Sequence, residues 1–303
     1  MKIKDNTKGY ITPALILILI IPLIILLMHI TDTTDDGYIN TQKYVKSDKL
    51  TKITQNYKQN MQTDIKQAIS EVSGNLTLNM TPLANAQKTL KDVLQQKMNY
   101  KMQQYEKTHN INITCNIVDV KPSDDPFKIK VIYNICSKVD MDMINQTNTI
   151  EIPIESDDKT IIYDPLLLFQ FNTKNDTNNT LLYQDTSIAS VYAGATSGYI
   201  IQKCPYENYN THGTSNITFN NCLLNHYYHR SHDGVCFICR LENKTKCSHM
   251  GIETFIIPVV VENTSIVSVD HVLFNEKYNG NRYDITNSTF LYLDGGHKIK
   301  YGL

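Results

Sequence analysis

The chain of 303 residues carries 29 Lys and Arg against 30 Asp and Glu. Three of those lysines, Lys2, Lys4 and Lys8, fall in the first nine residues, so the remainder is net acidic. That balance excludes a nucleic-acid binder, which would carry a basic surplus, and 12 Gly with 9 Pro exclude collagen-like or proline-rich sequence. With 41% apolar residues there is material for one large or two modest folded domains.

Tyr10 to Ile30 form an apolar run whose only polar members are Tyr10, Thr12 and His29. As a helix rising about 1.5 Å per residue it matches a hydrocarbon core of about 30 Å. It has no polar stripe, which suits lipid better than a globular interior. Pro22 removes one backbone donor, a defect that membrane helices tolerate. Lysines before the run and Asp32, Asp35 and Asp36 after it place the N-terminus in the cytoplasm and the rest outside, a single-pass protein of the cell membrane.

No small-x-small cleavage site follows the run. Lys8 and Gly9 instead stand directly before Tyr10-Ile11-Thr12-Pro13. This resembles the class III signal peptide of archaeal type IV pilins, cut after the glycine by a prepilin-type peptidase that leaves the apolar helix on the mature protein. The resemblance covers about 22 residues: Lys8, Gly9 and Tyr10 at the cleavage site and Thr12-Pro13 for the Ser/Thr-Pro pair. Tyr10 departs from the Gln that many archaeal pilins begin with, and Ala14 stands where bacterial pilins carry Glu. An uncleaved single-pass anchor is the plain alternative. The segments CPYENYNTHG, DGVCFICRLENKTKCSHMGIETFIIP, DHVLF and LDGGHKIKYGL are similar to exported proteins of methanogenic archaea that join a pilin-like N-terminus to a Cys-rich ectodomain, which implies location and architecture only.

Beyond the run, Leu50, Ile53, Tyr57, Met61, Ile65, Ile69, Val72 and Leu76 recur every three or four residues and predict an amphipathic helix. Gly74 interrupts the pattern. Thr81-Pro82 then reads as N-cap and first residue of a second helix, with Leu83, Leu90, Val93 or Leu94, Met98, Met102 and Tyr105 as its stripe. From residue 110 the period shortens, and segments 112–120, 127–139, 149–154 and 160–163 predict an antiparallel meander. Residues 171–180 are polar and of low complexity. Further strands are expected over 254–261, 266–274 and 289–293, and Asp294-Gly295-Gly296 reads as a hairpin turn. The expected fold is α+β: a leader (1–9), a transmembrane helix (10–30), a helical stem (31–109), a β meander (110–170), a linker (171–185) and a Cys/His-rich, mainly antiparallel β domain (186–303).

Ten Asn-x-Ser/Thr sequons, at Asn75, Asn79, Asn112, Asn145, Asn175, Asn178, Asn216, Asn243, Asn263 and Asn287, are about twice what composition alone supplies and point to a surface glycoprotein. Seven cysteines occur. Cys236-x-x-Cys239 followed by Cys247-x-His249 supplies three thiolates and an imidazole, a set suited to a closed tetrahedral zinc site. Bridges Cys115–Cys136 and Cys204–Cys222 would then leave no thiol orphaned. A wholly disulfide-stapled loop is the alternative for an exported chain. His226, His229 and His232, three apart, form either a metal-rich helix face or a polar loop.

Catalytic templates are missing: there is no Gly-x-Ser-x-Gly elbow, no His-Glu-x-x-His and no phosphate loop. His232-Asp233-Gly234 beside Cys236 offers a thiol with a nearby imidazole, as any dense Cys/His segment does. The expectation is a non-enzymatic, outward-facing pilin-like or pseudopilin-like surface protein, structural or adhesive. Its partners would be the membrane, the prepilin-type peptidase and other pilin-like subunits. An anchored extracellular ligand-binding module with a structural metal site and an anchored metalloenzyme are the alternatives.

Overall fold

The computed structural model describes residues 11–109, 111–139, 142–173, 200–206, 208–214, 216–261, 264–274, 281–286 and 289–303. Lys8, Gly9 and Tyr10 at the expected cleavage site lie outside them, as do Asn175, Asn178, Asn263 and Asn287 and the linker beyond residue 173.

A single helix, α1 (Ile11–Asn79), contains residues 11–30 of the apolar run and the first stem stripe. At about 1.5 Å per residue it is about 100 Å long. All eight predicted stripe residues from Leu50 to Leu76 are buried, with Ala68 beside them. At the other end, Ile18 and residues 20–28 are exposed. Those are the side chains of the apolar run that the described residues include. Among the described residues no helix is long and apolar enough to cross a membrane.

Gly74 does not end α1, because the ladder continues to Asn79 and stops only where Met80 turns left-handed at φ 51°. Helix α2 (Ala86–His109) starts later than the expected Thr81-Pro82. Its cap is Asn85, whose Oδ1 accepts from Lys88 N at 2.9 Å. Residues 81–85 are drawn elsewhere: Leu83 N donates to Leu241 O at 2.9 Å, and Ala86 N to Glu242 Oε1 at 2.7 Å. The stem is thereby tied to the Cys/His segment. Helix α2 buries Ala86, Leu90, Leu94, Met98 and Met102.

Strands β1 (Asn112–Pro122), β2 (Lys128–Val139) and β3 (Asp142–Pro153) form an antiparallel sheet in the order β1-β2-β3. Its inner face, with Ile113, Cys115, Ile117, Ile129, Val131, Tyr133 and Ile135, packs on the stem in one core. Residues 160–163 contribute only an isolated bridge, Tyr163 to Ile200, rather than a strand. The expected Cys115–Cys136 disulfide is not formed. Cys115 pairs with Ile135 and Cys136 with Thr114, so the alternation of side chains sends Cys115 inward and Cys136 to the other face.

Helix α3 (Leu166–Thr173) occupies the start of the expected linker. After it come α4 (Asn216–Asn225), β4 (Tyr228–Ser231), the single turn α5 (Phe237–Arg240), β5 (Gly251–Val261), β6 (Thr264–Val269), α6 (Asp270–Phe274), β7 (Asn281–Thr286), β8 (Thr289–Leu293) and α7 (Gly295–Tyr301). The second sheet runs β4-β5-β6-β8-β7, antiparallel except for the parallel pair β6–β8. The fold is α+β with two small sheets. Two local readings change: residues 270–274 are helical rather than strand, and Asp294 is a helix cap rather than a hairpin corner. Its carboxylate accepts from Gly296 N and His297 N, and α7 ends at Gly302 with φ 66°. Val235 to Leu241 share the core of the stem and first sheet, whereas Cys204, Phe219, Cys222, Phe255 and Tyr301 lie in a second core.

Candidate metal centres

The Cys/His segment is held by one buried cation. Arg240, on the last turn of α5, is fully buried. Its Nε donates to Val235 O at 3.0 Å, its Nη1 to Asp164 Oδ2 at 2.5 Å, and its Nη2 to Ile252 O and to Asp270 Oδ2 at 2.6 Å. Tyr228 Oη donates to the same Asp164 oxygen at 2.8 Å. Two carboxylates at zero exposure flank the guanidinium, which is what a buried charge requires. Burial pushes Asp164 up even with Arg240 beside it. Burial acts likewise on Asp270, but there Arg240 and His271 outweigh it and hold the carboxyl below its ordinary value. Gly234 and Gly251 let this segment close on β5: a Cβ on Gly251 would meet the Gly234 carbonyl carbon at 2.2 Å.

This scaffold presents the four residues read from sequence. Cys236 precedes α5, Cys239 lies within it, and Cys247 and His249 return on the following loop. One ligand atom from each of Cys236, Cys239, Cys247 and His249 lies within 4.8 Å of the others. Cys236 Sγ is 3.6 Å from His249 Nδ1. Zinc with Zn–S of about 2.3 Å and Zn–N of about 2.0 Å has tetrahedral edges of about 3.8 Å for S···S and about 3.6 Å for S···N. Cys236 N donates to Cys247 Sγ at 3.4 Å. The side-chain hydrogen bonds from Cys236 and Cys239 hold the Cys247 thiol far below its ordinary value, while Cys239 and then Cys247 push Cys236 up. Three sulfurs sharing so little space repel once ionised, and a dication relieves that repulsion.

A second set lies in the other core. Cys204, His212, Cys222 and His229 again place four ligand atoms within 4.8 Å, and all four residues are buried. Cys204 Sγ lies 3.5 Å from both Cys222 Sγ and His212 Nε2. At that separation the expected Cys204–Cys222 disulfide is absent, since an S–S bond measures about 2.05 Å. His212 Nδ1 lies 3.2 Å from Asn208 O, which assigns that nitrogen the proton and turns Nε2 toward the sulfurs. His229 is fully buried, and neither of its ring nitrogens has a hydrogen-bond partner. An orphaned buried imidazole costs stability unless something occupies its lone pair. The hydrogen bond from Cys222, with His212 and His229 adding to it, outweighs burial and holds the Cys204 thiol well below its ordinary value. Tyr209, Phe255 and Tyr301 pack edge-on around His229 at 4.8, 5.6 and 5.3 Å between ring centroids, fixing the ring.

The sequence reading reaches the first set complete. It assigns half of the second to a disulfide, sees His229 only as one of three spaced histidines, and misses His212. His226 and His232 belong to neither set, because residues 226–232 form β4 and its flanks rather than a helix, which turns His229 alone inward. A cleft of about 560 Å³ opens beside Cys204, lined by Asp124, Asp125, Lys203, Tyr209 and Arg230 among others. Among the sequons with described side chains, Asn75, Asn79, Asn112 and Asn145 are exposed. Asn243 is half-buried and its Oδ1 accepts from Gln170 at 2.6 Å, while the side chain of Asn216 lies outside the described residues.

Comparison with protein-family models, with curated proteins and with solved structures finds no match for this chain.

Proposed function

We propose that the protein is a membrane-anchored, outward-facing surface subunit of pilin-like build, structural or adhesive, whose head is stapled by zinc at the two sulfur-bearing centres. The observation that carries this reading is the division of labour along α1. Residues 50–76 bury a continuous stripe against the first sheet, whereas the described side chains of residues 18–28, all apolar, are exposed. A run of exposed Ile and Leu of this kind is stable only when something apolar surrounds it. Lysines before the run and aspartates after it orient a bilayer crossing with the head outside, and Lys8-Gly9 supplies the cleavage site of the resemblance. The metal centres play the part that disulfides play in other exported heads, ordering loops with too little apolar surface to order themselves.

Mass spectrometry of the native N-terminus tests the reading. The expected mature chain begins at Tyr10, a bulky residue in place of Gly9 blocks maturation, and protease added to intact cells reaches the head. An intact Met1 terminus overturns the pilin-like reading, and protection of the head until the membrane is broken overturns the topology. The cleft beside Cys204, lined by Asp124 and Asp125 as well as Lys203 and Arg230, favours an anchored ligand-binding module as the second reading.

A further inference from the structure

A third convergence of ligand atoms was not apparent in the sequence. Asp233 comes from the turn after β4, Glu253 from β5, His271 from the first turn of α6 and His297 from the first turn of α7. Their ligand atoms lie within 4.8 Å of one another. His271 Nε2 is 3.6 Å from both Asp233 Oδ2 and Glu253 Oε2, and His297 Nε2 is 3.8 Å and 3.2 Å from the same two oxygens. A tetrahedral zinc with nitrogen and oxygen ligands has edges of about 3.4 Å, and these four distances lie close to that length, as four of its six edges would. Only the shortest is within hydrogen-bonding range.

The surroundings decide what the four atoms are. His271 Nδ1 lies 3.3 Å from Asp270 Oδ1, and His297 Nδ1 lies 2.6 Å from Asp294 Oδ2. Each imidazole thus has its second nitrogen on a carboxylate, the arrangement that keeps the proton on Nδ1 and leaves the Nε2 lone pair free to ligate. The carboxylates are anchored in the same way. Glu253 Oε1 accepts from Lys300 and Tyr301, and Asp233 accepts from Ser231 Oγ at 2.6 Å. Two acceptor nitrogens and two carboxylate oxygens therefore face a common centre. His271 Nε2 is buried there without a hydrogen-bond partner, on a residue only 6% exposed.

We infer that Asp233, Glu253, His271 and His297 form a third metal centre, of N2O2 type, that takes one divalent cation of the zinc class. Three of its ligands are buried, whereas the Asp233 side chain is 65% exposed. The site is closed on three sides and open at one carboxylate, so its cation exchanges more readily than those of the thiolate centres. The inference is independent of the membrane anchor and of what the sulfur centres hold.

Zinc titration of the purified full-length protein, with metal content measured per chain, tests it. His271→Gln and His297→Gln are each expected to lower the zinc content by one equivalent relative to wild type. In cobalt-substituted protein they should remove ligand-field absorption without touching the sulfur-to-cobalt charge-transfer bands. Asp233→Asn, at the exposed edge where folding is least at risk, is expected to weaken that equivalent by about tenfold or more. Equal zinc content in wild type and both histidine variants overturns the inference. So does an Asp233→Asn protein that binds every equivalent as tightly as wild type.

Discussion

Replacing Arg240 by Met removes the one cation between two carboxylates that have no exposure to solvent. It keeps the length of the side chain but abolishes four hydrogen bonds, to Val235 O, Ile252 O, Asp164 and Asp270. Breaking a buried pair by deleting one partner costs about 3–5 kcal/mol, because a charge is left unpaired in a poor solvent. For a chain of this size that is a drop in Tm of roughly 5–8 °C. The pH dependence follows from the two carboxyls. Asp270, held below its ordinary value with Arg240 present, contributes stability above the unfolded carboxylate pKa and loses it as pH falls through the folded value. Asp164, pushed up by burial, acts in the opposite sense and gains on acidification. Without Arg240 both carboxyls rise, so the deficit is widest near neutrality and narrows toward about pH 5. Denaturation of zinc-loaded wild type and variant at several pH values reads this directly, and adding Asp164→Asn to the variant should recover part of the loss. A variant within about 1 kcal/mol of wild type at neutral pH, or no recovery from Asp164→Asn, refutes the reasoning.

Two further outcomes follow from the packing and the sulfur centres. Ile65→Ala, at a position with no exposure in the stem core, is expected to cost about 2–5 kcal/mol in denaturant titration, and a change below about 1 kcal/mol would mean that the stem does not pack on the first sheet. Cys239→Ser is expected to remove one zinc equivalent and lower Tm, and chelation should destabilise wild type more than the variant. Non-reducing peptide maps showing Cys236, Cys239 and Cys247 in disulfides, with no zinc bound, would instead remove the staple.

The stem was legible from sequence because burial on one side of a helix leaves a period of 3.6. Each predicted stripe residue from Leu50 to Leu76 is buried for that reason. The set Cys236, Cys239, Cys247 and His249 was legible because it is local: one helical turn and a short return loop bring 14 residues of chain to one point, and spacing alone encodes the geometry. Strand identity was legible over residues 112–139, but the pairing of Cys115 with Cys136 was not, since register decides which face a side chain meets and one residue of offset reverses the answer. Asp294-Gly-Gly suits a turn or a helix start equally, and in the fold Asp294 accepts from Gly296 N and His297 N as a cap. The remaining centres required the tertiary fold. Cys204 and Cys222 carry the same letters in either setting, and only the fold brings the buried His212 and His229 beside them. Asp233, Glu253, His271 and His297 are 20, 18 and 26 positions apart along the chain, a spacing that no local motif records. They meet because β5 supplies Glu253, while Asp270 at the start of α6 and Asp294 at the cap of α7 each hold a following histidine through its Nδ1.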